Sequence, residues 1–127
     1  MPPTPIIAIV DNDESVLIAL DSLLRSSGYT VQAYPSAQAF LESSGPLSTA
    51  CLISDIQMPG MCGVQMYEQL SAQGIHIPAI FITGNHLAPL QLSANARPPV
   101  GYFPKPFKAD HLIACIELAL ESSRSGT

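Results

Sequence analysis

Short runs of apolar residues alternate along the chain with segments whose apolar residues recur at helical spacing. The run from Ile6 to Val10 is continuous, as expected for a strand buried on both faces of a parallel sheet. Residues 14–27 then carry apolar side chains at helical periodicity, and Gly28 stands where helices commonly end. This order of a buried strand followed by an amphipathic helix limits the chain to a few architectures.

The alternation continues to the end of the chain. Further strands are predicted at residues 29–33, 51–54, 79–82 and 100–103. Further helices are predicted from Ser36, around residues 64–70 and over residues 108–121, with a loop at residues 43–48. Because right-handed crossovers return each strand to the same sheet, we predict an α/β fold with a doubly wound, five-stranded parallel sheet. In such sheets function lies at the carboxyl ends of the strands.

Composition narrows the classes of function. The 127 residues suit one domain, which we place at residues 1–121, with residues 122–127 as a linker or tail toward an output domain. A net charge of −5 with only five Lys or Arg residues offers no basic surface for nucleic acid, so DNA binding would need that separate domain. No apolar run could span a membrane, and the N-terminus does not resemble a signal peptide. The three widely spaced cysteines form no metal-binding pattern, so we expect reduced thiols in a cytoplasmic protein.

Residues that carry chemistry follow four of the predicted strands. Asp11, with Asn12 and Asp13, follows the first strand, and Asp55 follows the third. Thr83 ends the fourth strand, and Lys105 comes shortly after the fifth. Carboxylates gathered at one edge repel each other unless a cation or an ammonium group lies nearby, and oxygen ligands with waters suit Mg²⁺. A metal, a hydroxyl and a lysine around one carboxylate would suit phosphoryl transfer to that carboxylate.

Four segments resemble the receiver domains of two-component response regulators. They are IVDND, SDIQMPGMCG, FITG and YFPKPF, and their order and spacing match over nearly the whole chain. The DxxMPGMxG stretch most resembles receivers that precede a LuxR-type helix-turn-helix domain. The resemblance implies a flavodoxin-like (βα)5 fold with strand order 2-1-3-4-5.

The resemblance also assigns the acidic site. It implies that Asp55 accepts the phosphoryl group. Asp11, Asn12, Asp55 and the backbone carbonyl of Gln57 would hold Mg²⁺, with Asp13 as an auxiliary ligand. Receivers normally carry a carboxylate where Asn12 stands, so we expect weak Mg²⁺ binding. Asp13 could compensate, but we favour its role as a helix cap.

The remaining roles concern switching. Thr83 would move to bind a phosphoryl oxygen, Tyr102 would rotate in response, and Lys105 would pair with the phosphoaspartate. Pro106 would follow a cis peptide bond. Asn85, like Gln57, occupies a position that tunes the lifetime of the phosphoaspartate in such domains.

The segment from His86 to Pro99 departs from the family pattern. It should contain the helix between the fourth and fifth strands, but Pro98 and Pro99 prevent a helix from reaching the fifth strand. We therefore expect a short, displaced or partly unwound helix there. In receiver domains the face that contains this helix is a common dimerisation surface. A broken helix could therefore move dimerisation to another face.

The resemblance implies a signalling phosphoacceptor rather than an enzyme, one that takes part only in its own phosphorylation and dephosphorylation. Its partners would be a sensor histidine kinase and, in one possible state, a second copy of the chain. Two alternatives remain open. An atypical receiver could bind proteins independently of phosphorylation. A haloacid-dehalogenase-like phosphatase could use Asp11 as its nucleophile, although DIQMPGMCG would then have no role.

Overall fold

The computed structural model describes residues 5–43, 45–56, 63–83, 100–104 and 108–125. Strands and helices alternate along these residues, as the periodicity predicts. The strands are β1 (Ile6–Val10), β2 (Thr30–Tyr34), β3 (Thr49–Asp55), β4 (Ala79–Thr83) and β5 (Gly101–Pro104). The helices are α1 (Glu14–Ser26), α2 (Ala37–Glu42), α3 (Gly45–Ser48), α4 (Gly63–Ala72) and α5 (Ala109–Ser125).

The five strands form one parallel sheet in the order β2-β1-β3-β4-β5. The predicted α/β fold and strand order are therefore confirmed. At the carboxyl end, Val10 of β1 pairs with Ser54 of β3. Asp55 pairs with Ile82 of β4. This register brings the ends of the three central strands to one edge.

The core consists of two layers, one on each face of the sheet. Ile7 and Ile9 of β1 face a cluster that includes side chains of α1 and α5. Ala8 and Val10 of the same strand face a cluster formed with α2 and α4. Because neighbouring side chains of a strand point to opposite faces, a strand covered on both faces must be apolar throughout. This explains the continuous apolar run that marks β1 in the sequence.

The local chemistry of α1 fixes both of its ends. Asp13 is the N-cap, and its carboxylate accepts a hydrogen bond from the backbone N–H of Ser15. At the other end Gly28 has φ +95°, a conformation that glycine adopts without strain. The side chain of Arg25 donates to the carbonyl oxygen of Val31 at 2.9 Å, which ties the helix to the edge strand β2.

Two parts of the chain differ from the sequence prediction. The predicted loop at residues 43–48 is wrong, because Gly45–Ser48 forms the short helix α3. Side-chain hydrogen bonds from the flanking residues hold this turn at Gly45, since Ser43 Oγ accepts from Gly45 N at 2.9 Å and Thr49 Oγ1 donates to Gly45 O at 2.7 Å. Such single-turn contacts leave no periodic pattern in the sequence.

The second difference is the length of α5. The helix continues to Ser125, beyond the predicted end at residue 121. Its last residues are polar, but neither glycine nor proline occurs before Gly126, so nothing in the sequence interrupts the backbone hydrogen bonds. The start of the expected tail at residue 122 thus falls within α5.

In the part of the chain that the structure describes, no helix is both long and apolar enough to cross a membrane. The expected irregularity of residues 86–99 lies outside the described residues.

The packing of α5 on the sheet depends on Gly101 in β5. A Cβ atom at this position would lie 2.5 Å from Cys115 Sγ and 3.2 Å from Phe103 Cε2. Cys115 and Cys51 are buried free thiols in the same core cluster. Burial, and after it the neighbouring Cys115 thiol, raises the pKa of Cys51 to about 12. Cys51 therefore stays protonated at neutral pH and behaves as a small apolar side chain.

The variant Gly101→Ala is expected to lower the free energy of unfolding by about 1–3 kcal/mol, because the added methyl group overpacks the core. The additional replacement Cys115→Ala removes the atom that the methyl group would meet. Urea unfolding of both single variants and the double variant tests this. The double variant should lose less stability than the sum of the two single losses. Strict additivity would show that Gly101 does not contact Cys115 in this way.

Candidate functional site

Asp11 follows β1 directly and is buried, with 1% of its surface exposed. Its backbone N–H donates to the carbonyl oxygen of Tyr34 at 3.2 Å, so the residue prolongs the pairing of β1 with β2. Its Oδ1 atom accepts a hydrogen bond from the backbone N–H of Asp13 at 2.9 Å. The turn between β1 and α1 therefore fixes the orientation of the Asp11 carboxylate.

Asp55 is the last residue of β3 rather than the first residue after it, and 7% of its surface is exposed. The next residue, Ile56, donates its N–H to Ile82 O at 3.0 Å, so the chain stays attached to β4 beyond Asp55. Because Val10 pairs with Ser54, Asp11 and Asp55 occupy successive positions at the ends of adjacent strands. Parallel strands lie about 4.8 Å apart, which brings the two acidic residues to one edge of the sheet.

The two other polar residues after β1 face solvent. Asn12 and Asp13 are both exposed. Asp13 uses its Oδ1 atom to cap α1, accepting from Ser15 N at 2.9 Å. This is the role that we favoured for Asp13 from the sequence.

The switch residues are described only in part. Thr83 ends β4 and pairs with Pro104, one position beyond the Asp55–Ile82 pair. Tyr102 lies in β5, is half-buried, and packs against the α2–α4 side of the core. The predicted site residues that lie outside the described residues are Gln57, Asn85, Lys105 and Pro106.

The oxygen atoms that the described residues offer as metal ligands suit a hard cation. Asp11 and Asp55 supply carboxylate oxygens and Asn12 can supply an amide oxygen, which are ligands that Mg²⁺ accepts together with waters. No group of three or more His, Cys, Asp or Glu residues that could hold a metal occurs among the described residues. Two buried carboxylates fit a Mg²⁺ ion that keeps several waters, and the neutral amide of Asn12 lowers the charge that would attract it.

Two residues that sequence reasoning did not select lie against the backbone of Asp55. Ser54 donates its hydroxyl to the carbonyl oxygen of Asp55 at 2.9 Å. Gly63, the first residue of α4, approaches the same carbonyl so closely that a Cβ atom would collide with it. The only signal in the sequence is a small residue on each side of the DIQMPGMC segment.

The sequence of most of the chain matches a known protein family. A model of the response regulator receiver domain matches residues 7–117. The chain belongs to the response regulator receiver domain family. The match confirms the resemblance drawn from the four motifs and leaves the phosphatase alternative without support.

Individual relatives agree with this assignment. The chain is 41% identical to response regulator protein TmoT of Ectopseudomonas mendocina over 116 residues, covering 91% of this chain and 53% of TmoT. It is 34% identical to transcriptional regulatory protein FixJ of Azorhizobium caulinodans, covering 97% of this chain and 58% of FixJ. The structure of response regulator StyR is similar with a TM-score of 0.88 and 36% identity, covering 96% of this chain and 62% of StyR. The chain thus spans little more than half the length of these relatives.

Membership of the family establishes the general role of the chain. It is a receiver domain of two-component signalling. Receiver domains generally bind Mg²⁺ at an acidic phosphorylation site, and response regulators are phosphorylated by sensor histidine kinases and often dimerise.

The capping role of Asp13 can be separated from a role in metal binding. The variant Asp13→Ala is expected to lower the free energy of unfolding by about 1 kcal/mol, because Ser15 N loses its acceptor. Asp13→Ser should restore most of this loss, since a serine hydroxyl also caps helices. Urea unfolding and Mg²⁺ titration of both variants test this. Equal weakening of Mg²⁺ binding in both variants would identify Asp13 as a metal ligand instead.

Proposed function

We propose that Asp55 is the phosphoacceptor of this receiver domain. The observation that carries the proposal is the placement of Asp55 at the end of the central strand β3, with Asp11 at the end of the adjacent strand β1. An Asp55 carboxylate oxygen would attack the phosphorus atom of a phosphohistidine on the partner kinase. The P–N bond breaks, the histidine nitrogen takes a proton, and an acyl phosphate forms on Asp55.

A divalent cation would be held by Asp11, Asn12, Asp55 and the backbone carbonyl of Gln57. When bound, Mg²⁺ offsets the negative charge that phosphoryl transfer gathers at the site. The hydrogen bond from Asp13 N to Asp11 Oδ1 keeps one carboxylate oriented before the cation arrives. Asn12 provides an amide where a carboxylate would bind more tightly, so we expect weak binding.

The signal would pass from the site through β4 and β5. Thr83 would bind a phosphoryl oxygen, and Lys105 would pair with the phosphoaspartate. Tyr102 sits on β5 opposite Phe81, two residues before Thr83 on the neighbouring strand, so a movement of Thr83 could reach it. Asn85 would affect the lifetime of the acyl phosphate, and a cis bond before Pro106 would place Lys105.

Phosphorylation would then shift an existing conformational equilibrium on the β4–β5 side of the domain. The shift would alter homodimerisation or the activity of a LuxR-type DNA-binding domain outside residues 1–127. Relatives that are about twice as long as the matched segment, one of them named a transcriptional regulatory protein, support this part of the proposal. We place the protein in the cytoplasm, and the domain acts only on its own phosphorylation state.

A second candidate function is a binding module that does not depend on phosphorylation. The observation that favours it is Asn12, an exposed amide in the part of the site where receivers normally carry a carboxylate. Such a module would respond to a partner that binds the segment of residues 86–99. Chemical phosphorylation of the domain distinguishes the two functions.

Incubation with acetyl phosphate and Mg²⁺ is expected to add one phosphoryl group, a gain of about 80 Da in intact mass. The gain should vanish in Asp55→Asn, because the amide cannot act as the nucleophile. Asp21→Asn is the matched control, since it makes the same change on α1 and should leave the gain intact. Labelling that survives in Asp55→Asn would refute the site assignment. No labelling of the wild-type domain would favour the binding module.

The substitution Asn12→Asp is expected to tighten Mg²⁺ binding about tenfold, equivalent to roughly 1.4 kcal/mol, because it adds a charge beside the cation. Gln73→Glu, just after α4, adds the same charge at the opposite end of the sheet and should have little effect. Calorimetric titration with Mg²⁺ measures both. An unchanged affinity in Asn12→Asp would exclude Asn12 from the ligand set.

A further inference from the structure

The carbonyl group of Asp55 is enclosed by two small residues. Ser54 is completely buried, and its hydroxyl donates to Asp55 O at 2.9 Å. Gly63 packs on the same carbonyl from α4, where a Cβ atom would collide with Asp55 O and lie 2.8 Å from Ser54 Oγ. Gly63 therefore cannot be enlarged without moving the Ser54 hydroxyl or the carbonyl of Asp55.

The backbone on either side of this carbonyl is also held. Ile56 N donates to Ile82 O of β4 at 3.0 Å, and Gly63 N donates to Ile56 O at 3.0 Å. The strand end is therefore attached to β4 on one side and to the start of α4 on the other. These bonds define the plane of the peptide units next to Asp55, from which its side chain projects.

The hydroxyl of Ser54 is unexpected in its surroundings. The residue pairs with Val10 of β1 and with Phe81 of β4, and both of these belong to the apolar core beside α4. An alanine would suit this environment without desolvating a polar group. The hydrogen bond from this hydroxyl to the carbonyl oxygen of Asp55 accounts for the polar atom.

We propose that Ser54 and Gly63 are positioning residues for Asp55. This inference rests on the proposed function of Asp55 as the phosphoacceptor. Ser54 fixes the Asp55 carbonyl through its hydrogen bond, and Gly63 allows α4 to approach the same group. Neither residue touches the phosphoryl group, and both act through the backbone of Asp55. Orientation of the attacking carboxylate contributes directly to the rate of a displacement reaction.

The test compares Ser54→Ala with Ser43→Ala. Ser43 also donates its hydroxyl to a backbone carbonyl, that of Phe40 at 2.7 Å, but it follows α2 away from the site. The measured quantities are the maximal rate of phosphorylation by acetyl phosphate, the donor concentration at half-maximal rate, and the hydrolysis rate of the phosphorylated domain. Urea unfolding of each variant shows that it is folded under the conditions of the assay.

Ser54→Ala is expected to slow maximal phosphorylation about tenfold, because the carboxylate loses its fixed orientation. The half-maximal donor concentration should not change, because donor binding does not involve Ser54. Hydrolysis of the acyl phosphate should slow as well. The variant Ser54→Thr keeps a hydroxyl and should recover part of the maximal phosphorylation rate. Gly63→Ala is expected to act in the same direction. Ser43→Ala should leave all three quantities unchanged.

Wild-type rates in folded Ser54→Ala would overturn the proposal, as would equal losses in Ser54→Ala and Ser43→Ala. In both cases the wild-type domain would still be labelled at Asp55, so the proposed function would stand. If the wild-type domain is not labelled, or if Asp55→Asn is labelled, the proposed function and the positioning role fail together. The two failures are therefore distinguishable.

Discussion

The parallel pairing of β1 with β3 is the interaction on which the rest of the site depends. It aligns Val10 with Ser54 and so places Asp11 and Asp55 at successive positions on adjacent strand ends. Both are inner strands of the sheet and are covered by helices on both faces. The fold thus brings two carboxyl groups into a largely buried place, where apolar residues would give a more stable protein. A buried acidic pair is unfavourable by itself, and it becomes useful when a cation is shared between its members.

The structure around this pair limits its freedom. The Asp11 carboxylate accepts a backbone N–H of the following turn, and that turn is held by the Asp13 cap of α1. The Asp55 backbone is held by Ser54, Gly63 and the continuation of the chain along β4. The Asp11 carboxylate is therefore oriented by the turn that follows β1, and the backbone of Asp55 is held by β3 itself, by β4 and by the start of α4. An arrangement fixed before binding avoids the entropy cost of ordering flexible side chains around the ligand.

Packing on the two faces of the sheet meets in the short strand β5. Gly101 lets α5 approach β5 through Cys115, and Tyr102 beside it packs toward α4 on the opposite face. Neighbouring residues of one short strand thus contact both helical layers. A change at the strand end could be transmitted to either layer because the interior is closely packed and deforms little.

The sequence determined the elements and their order, because alternating apolar periodicity encodes which side of each strand or helix is buried. It also selected Asp11 and Asp55, since both stand at the end of a recognisable apolar run. It could not place Gly45–Ser48 in a helix, because side-chain hydrogen bonds from Ser43 and Thr49, rather than periodicity, hold that single turn. The tertiary structure alone decided that Asp55 lies within β3, that Asp13 is occupied as a cap, and that Ser54 and Gly63 meet at one carbonyl. Contacts of this kind depend on strand register and on how closely a helix approaches the sheet, and neither quantity is encoded in the local pattern of a single segment.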